Sequence, residues 1–159
     1  MSEPKRTGLM ELLSMSVGCQ FVIPVYQRNY TWDVDKEVKQ YLNDLESVLK
    51  GKYKNHFMGI IIYLEKEIDF SSREFSVIDG QQRLTTTFLI LYAVKKILAE
   101  NNDQTRVEQL EGQYLTNPYQ SGGIKYKLKP LVADDDVYRC IVEDRMAGGT
   151  GHRYGNPVC

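Results

Sequence analysis

Apolar positions recur at helical spacing most clearly from Leu84 onward, through Phe88, Leu91 and Tyr92 to Val94 and Leu98. The spacing predicts a long helix over 81–100, broken by "NND" at 101–103. Its first half is apolar around most of its circumference, so it should be the buried helix. A second stripe, Val34, Val38, Tyr41, Leu42, Leu45, Val48 and Leu49, predicts a helix over 33–50. Asp33 suits its N-cap, Asp35 and Glu37 its first turn, and Gly51 its stop. Leu9, Leu12 and Leu13 predict a short amphipathic helix ending by Gly18, and residues 104–115 and 134–146 fit two more.

The strand pattern is sparser. "CQFVI" (19–23) reads as a strand stopped by Pro24. "HFMGIIIYLE" (56–65) is a nearly continuous apolar run, expected at the centre of a sheet. "KEIDFSSRE" (66–74) reads as a turn and Phe75 to Ile78 as the next strand. "IKYKLKPL" (124–131) alternates, as a strand or an extended arm would. Helices and strands in this order give an α+β class.

Composition narrows the picture. The chain has 159 residues, room for one domain and one modest core, expected over 1–146. The tail, 147–159, holds four glycines and a proline without periodicity, and reads as disordered or as the cut edge of something larger. The net charge of −1 gives no global argument for nucleic acid, and local basic patches such as "KYKNH" and "KYKLK" are unspecific. Three cysteines, an odd count without metal-knuckle spacing, argue against a disulfide framework and for a reducing compartment. The longest uncharged apolar stretch, Leu84 to Val94, is short of the ~18 residues a membrane span needs, and no signal peptide is evident. A cytoplasmic protein without membrane partners is the expectation.

The chemistry concentrates in "DGQQR" (79–83), between a strand and the buried helix. A strand that turns sharply into a helix leaves backbone N–H groups unpaired at the positive end of a dipole, a natural anion site. Asp79 can cap the helix, Gly80 permits a tight turn, and Gln81 and Gln82 offer donors and acceptors. Arg83 is a planar fork for phosphate oxygens, with the hydroxyls of Thr85 and Thr86 one turn further. The plain alternative is an ordinary capped helix with an exposed arginine.

"IPVYQRNYTW" (23–32) repeats the amide–arginine pairing in Gln27 and Arg28. Tyr26, Tyr30 and Trp32 suit base stacking or cation–π contact, or, more plainly, the rim of the core under the next helix. His56 reads as packed or solvent-facing. "DDD" (134–136) reads as a solvated helix start rather than a metal site.

Taken together, "IPVYQRNYTW", "HFMGIII" and "VIDGQQRLTT", in this order, closely resemble the DGQQR family of ParB-like domains. That family includes the N-terminal domains of GmrSD-type modification-dependent restriction proteins and of phosphorothioate-sensing defence proteins. The resemblance spans roughly residues 8–142. It implies a ParB/sulfiredoxin-like fold, a small mixed β-sheet with packed helices. It implies that Asp79, Gln81, Gln82 and Arg83 form a catalytic motif for a nucleoside triphosphate of undetermined base. Gln27, Arg28, Gly80 and Arg83 are then phosphate-binding; from their own chemistry Thr85 joins them, Tyr26, Tyr30 and Trp32 are base-stacking candidates, and Asp79 is the candidate for Mg2+. The expected pocket lies between "YQR" and "DGQQR".

Sulfiredoxin chemistry does not carry over, because Gln82 stands where its cysteine would be. The His-Asn-His nuclease motif of many family members is also missing, the histidines being His56 and His152. The chain is therefore expected to be the N-terminal part of a longer protein, a nucleotide-binding sensing module for restriction or anti-phage defence. DNA would be reached through the full-length protein or complex, and cleavage would lie in a separate nuclease domain or subunit. Whether the nucleotide is hydrolysed stays open, as does the alternative of a non-hydrolysing module that recognises DNA phosphate or a modified base. A third alternative is a fragment that only assembles with a partner.

Overall fold

The computed structural model describes residues 7–14, 18–54, 57, 59–70, 72–120 and 122–143. The order is α1 (Leu9–Ser14), β1 (Cys19–Val22), a π-helical turn (Val34–Val38) running into α2 (Lys39–Leu49), β2 (Ile62–Asp69), β3 (Ser72–Asp79) and α3 (Gln81–Glu100). Then come α4 (Gln104–Leu110), a second π-helical turn (Glu111–Leu115), β4 (Leu128–Lys129) and α5 (Val132–Val142). The sheet is mixed, in the order β2-β3-β1-β4. β1 runs parallel to both its neighbours, Phe21 facing Phe75 on one side and Leu128 on the other. β2 and β3 form an antiparallel hairpin. The α+β class expected from the pattern is the observed one.

α3 begins and ends where its periodicity places it, and Asn101 and the left-handed Asn102 close it. Leu84 and Phe88 are fully buried against the sheet, with Leu91 and Tyr92 behind them. Phe21 is the hub, its ring 5.2 Å from Phe75, 6.2 Å from Tyr63 and 6.4 Å from Phe88. Truncating a ring so enclosed, as in Phe88→Ala, costs about 3–5 kcal/mol.

Three expectations need correction. The run 56–65 is not a central strand: pairing starts only at Ile62, and β2 is an edge that continues to Asp69 through the expected turn. Its middle, Glu65-Lys66-Glu67, carries the charges that protect an open sheet edge, and Leu64 is 61% exposed. The α2 stripe does not pack as a stripe, for only Tyr41 is buried while Val34 and Leu49 stand 74% and 86% exposed. Of 124–131, only Leu128 and Lys129 pair as a strand, although Tyr126 bridges Thr116. α5 starts slightly early, at Val132, with Asp134 and Asp135 in its first turn as expected. The readings of His56 and of the tail 147–159 fall outside the described residues.

Two polar residues hold distant segments together. Asn117, fully buried, accepts from the Gly18 N–H at 3.1 Å and donates to the carbonyls of Cys19 at 3.0 Å and Ile124 at 2.9 Å. Lys127, also buried, donates through Nζ to the carbonyls of Leu13 at 3.1 Å and Gln113 at 2.8 Å. Cys19 is a buried thiol outside any disulfide. Cys140 in α5 is buried as well. Among the described residues no helix is long and apolar enough to cross a membrane.

Candidate functional site

β3 hands over to α3 at Asp79 and Gly80. Gly80 is the N-cap, with φ +87°, and a Cβ there would lie 2.8 Å from the Ile60 carbonyl oxygen. Glycine is therefore needed twice over, for the left-handed turn and for the approach of the 60–61 backbone. Asp79 does not cap α3. Its Oδ1 accepts from the Gly80 N–H at 2.7 Å, which spends the carboxylate on the turn, and no side chain caps the helix.

The two glutamines point back at the "YQRNYT" segment. Gln81 Nε2 donates to the Arg28 carbonyl at 3.0 Å. Gln82 Nε2 donates to the Asn29 carbonyl at 3.0 Å while its Oε1 accepts from the Thr31 N–H at 2.8 Å. From the other motif, Gln27 Nε2 donates to the Ile78 carbonyl at 2.8 Å. Tyr30 is fixed at both ends: its N–H donates to Asp134 Oδ2 at 3.0 Å, and its hydroxyl lies 2.8 Å from Thr86 Oγ1. Thr86 gives its own proton to the Gln82 carbonyl, so Tyr30 is the donor to Thr86. The motifs are neighbours, as their resemblance implied, but amides holding backbone make the junction.

The arginines part company. Arg28, Gln81, Thr85 and Asp134 line a crevice of about 10 Å³, room for one water. Gln81 Oε1 is buried there without a hydrogen-bond partner. Arg83 instead borders a cleft of about 360 Å³, with Trp32, Tyr41 and Phe57 as its aromatic surfaces and Glu37 and Asp44 as its carboxylates. Arg83 Nη1 donates to the Ile60 carbonyl at 3.1 Å, across Gly59. The single pocket expected between "YQR" and "DGQQR" is thus a crevice too small for a nucleotide. A cavity of nucleotide size lies beside Arg83 instead.

The cleft wall is tied to α3. The Trp32 and Tyr41 rings lie 5.7 Å apart. The Tyr41 hydroxyl lies 2.7 Å from Thr87 Oγ1, which donates to the Arg83 carbonyl, so Tyr41 donates to Thr87. Burial raises the Tyr41 pKa above 10 and keeps that proton in place. Asp33 caps its helix as expected, accepting from the Asp35 N–H, and Glu37 returns the favour on the Asp33 N–H at 2.9 Å. That backbone hydrogen bond lowers the Glu37 pKa and holds an anion beside the cleft.

Of the stacking candidates, Trp32 reaches the cleft, Tyr30 lines the crevice, and Tyr26 stands 71% exposed on the loop before Tyr30. Sequence reasoning missed Glu37, Tyr41, Asp44, Phe57 and Gly59. The spacing of 37, 41 and 44 puts three of them on one helix face, but in the sequence Tyr41 is indistinguishable from the other positions of an apolar stripe. Asp79 lines neither cavity. Among the described residues, no group of three or more His, Cys, Asp and Glu side chains is placed to hold a metal.

Curated proteins give no match. The family model of the GmrSD restriction endonuclease N-terminal domain matches residues 9–147, from α1 past the end of α5. That match takes in both glutamine–arginine motifs and nearly the whole chain, so the protein belongs to the family of GmrSD restriction endonuclease N-terminal domains.

Proposed function

We propose that this domain binds a nucleoside triphosphate in the cleft beside Arg83, as the nucleotide-responsive part of a restriction system whose nuclease lies elsewhere. The observation that carries the reading is the Arg83 guanidinium at the edge of an aromatic-lined cleft of about 360 Å³. That volume is within the usual range of small-molecule sites. Trp32 and the exposed Phe57 offer faces for a base. Arg83 favours phosphate. Glu37 and Asp44 would repel a bare triphosphate, so the nucleotide is expected with its magnesium. Asp79 lines neither cavity and gives one oxygen to Gly80, so Mg2+ would come with the nucleotide's phosphates rather than through Asp79. The ParB/sulfiredoxin-like relationship is proposed on the same motifs.

Calorimetry with the four common NTPs, with and without magnesium, tests this. Arg83→Ala should weaken binding about ten- to a hundredfold, the loss of a charge-assisted phosphate contact. Arg28→Ala should stay within about twofold, because it borders a different cavity and shares no partner with Arg83. An Arg83→Ala protein that binds like the wild type removes the reading.

The exposed loop favours a second role, contact with DNA. Gln27, Gln81 and Gln82 fix its backbone while Tyr26 and Arg28 stand outward in solvent. A rigid loop carrying an aromatic ring and an arginine suits a phosphate backbone or an unstacked base. Fluorescence anisotropy with modified and unmodified duplexes should show weaker binding for Arg28→Ala, with a shallower salt dependence. Equal binding and slope for wild type and variant would remove this role. In a nicking assay with each NTP and magnesium, this chain alone should leave plasmid intact.

A further inference from the structure

Gly59 lies in the lead-in to β2, outside both arginine motifs. Its φ is +98°, in the region open to glycine and costly for other residues. A Cβ there would lie 2.5 Å from Arg83 Cζ, 2.7 Å from Nη1 and 2.8 Å from Nε, all well inside van der Waals contact. The guanidinium therefore occupies the space that a side chain at 59 would fill. One residue on, the Ile60 carbonyl accepts from Arg83 Nη1 at 3.1 Å. The same carbonyl closes on Gly80, where a second left-handed glycine makes room for it. Two glycines thus bring two backbone segments close enough for one carbonyl to hold the arginine.

We infer that Gly59 is a positioning residue: its bare Cα is the seat that sets the Arg83 guanidinium at the edge of the cleft, in reach of an anionic ligand. This deepens the reading of the cleft as a triphosphate site and rests on it. An arginine left to itself explores many rotamers, and ordering it on binding costs affinity. Seated between Gly59 and Ile60, it meets a phosphate already ordered, with its remaining N–H groups available. An alanine at 59 removes the seat without touching the charge.

Gly51 supplies the control. It also has a positive φ, +71°, but a Cβ there meets nothing within 4 Å. Gly51→Ala carries the backbone strain alone, and Gly59→Ala carries the strain and displaces the guanidinium. Both should melt at similar, somewhat lowered temperatures. Titrated with NTP and magnesium, Gly51→Ala should bind like the wild type, and Gly59→Ala should lose about ten- to a hundredfold, as Arg83→Ala does. In the Arg83→Ala background, Gly59→Ala should change affinity less than about twofold, because the two act as one unit. If Arg83→Ala weakens binding and Gly59→Ala does not, the seat is wrong and the triphosphate site stands. If Arg83→Ala itself binds normally, the site is wrong. A measurement on the unaltered, nucleotide-free protein covers a Gly59→Ala chain that fails to fold. The Arg83 Nε–H resonance should be shifted from the free-arginine position and protected from solvent exchange. A free-arginine resonance in fast exchange would overturn the proposal.

Discussion

The Thr31 backbone N–H donates to Gln82 Oε1 at 2.8 Å, joining the "YQRNYT" segment to the first turn of α3. The other end of the same amide donates to the Asn29 carbonyl at 3.0 Å. One buried side chain therefore satisfies a donor and an acceptor of a segment with no regular structure of its own.

Gln82→Ala should cost about 1–3 kcal/mol in urea unfolding, since both loop groups lose their partner. Gln82→Glu should also destabilise, because it keeps the acceptor for Thr31 but sets an oxygen against the Asn29 carbonyl. A Gln82→Ala chain with unchanged stability would return this glutamine to a purely chemical role.

Trp32 is the single tryptophan of the chain and lines the cleft, so its emission should report on occupancy. Titration with an NTP and magnesium should quench it, and Arg83→Ala should show no quenching at the same concentrations. Trp32→Ala should weaken binding by about 1–3 kcal/mol, the usual worth of a base–aromatic stack, and Trp32→Phe by less. Fluorescence that ignores a nucleotide bound by calorimetry would place the ligand elsewhere.

Asp79 separates the turn from the chemistry. Its Oδ1 meets the Gly80 N–H, and an asparagine oxygen meets it equally well. Asp79→Asn should melt within a degree or two of the wild type and bind nucleotide equally, whereas Asp79→Ala loses the contact at about 1 kcal/mol. A phosphate-release assay decides the rest. A fall of about a hundredfold in turnover for the Asn variant would show that the charge takes part, as acid–base groups typically do.

Lys127 should give the fold an alkaline signature. Burial holds its pKa below the usual 10.5. Across the window leading up to 10.5 the unfolded chain binds more protons than the folded one, so this group makes stability rise with pH. Tyr92 and Tyr138 act oppositely. Burial raises them above 10, so beyond that pH the unfolded chain ionises first and stability falls. The comparison that isolates the lysine is Lys127→Met against wild type by urea unfolding over a pH series. The variant should lack the rising limb and lose about 1–2 kcal/mol at neutral pH, with the Leu13 and Gln113 carbonyls left short of a donor. Parallel pH curves would show that the lysine is charged alike in both states.

The elements set by local pattern were legible in the sequence. α3 could be bounded from its spacing and "NND", and Asp33 from its place before a charged first turn. What depends on contacts between distant segments was not. "HFMGIII" looks like a buried strand because its residues are apolar, yet part of it is the lead-in that carries Gly59 and Ile60 to Arg83. Asp134 reads as a solvated helix start, and its partner is the backbone of Tyr30. Lys127 sits in a stretch that resembles a basic patch, and the approach of α1 and of the Glu111–Leu115 turn gives its ammonium two carbonyls. In the sequence the "DGQQR" motif stands out for its arginine. That its glutamines hold the other motif follows from geometry a single sequence does not contain.

The short central strand also sets an order of events during folding. β2 and β3 are joined by a tight connection and can zip together as soon as Asp79 has been made. β1 cannot start alone. Each of its ladders is parallel and waits for a distant stretch of chain, Phe75 in one case and Leu128 in the other. Closing such loops is slow compared with making a hairpin or a helix. A nascent chain therefore carries Phe21 with one flank open until residue 129 has left the ribosome, and slow refolding phases should trace to the docking of β4.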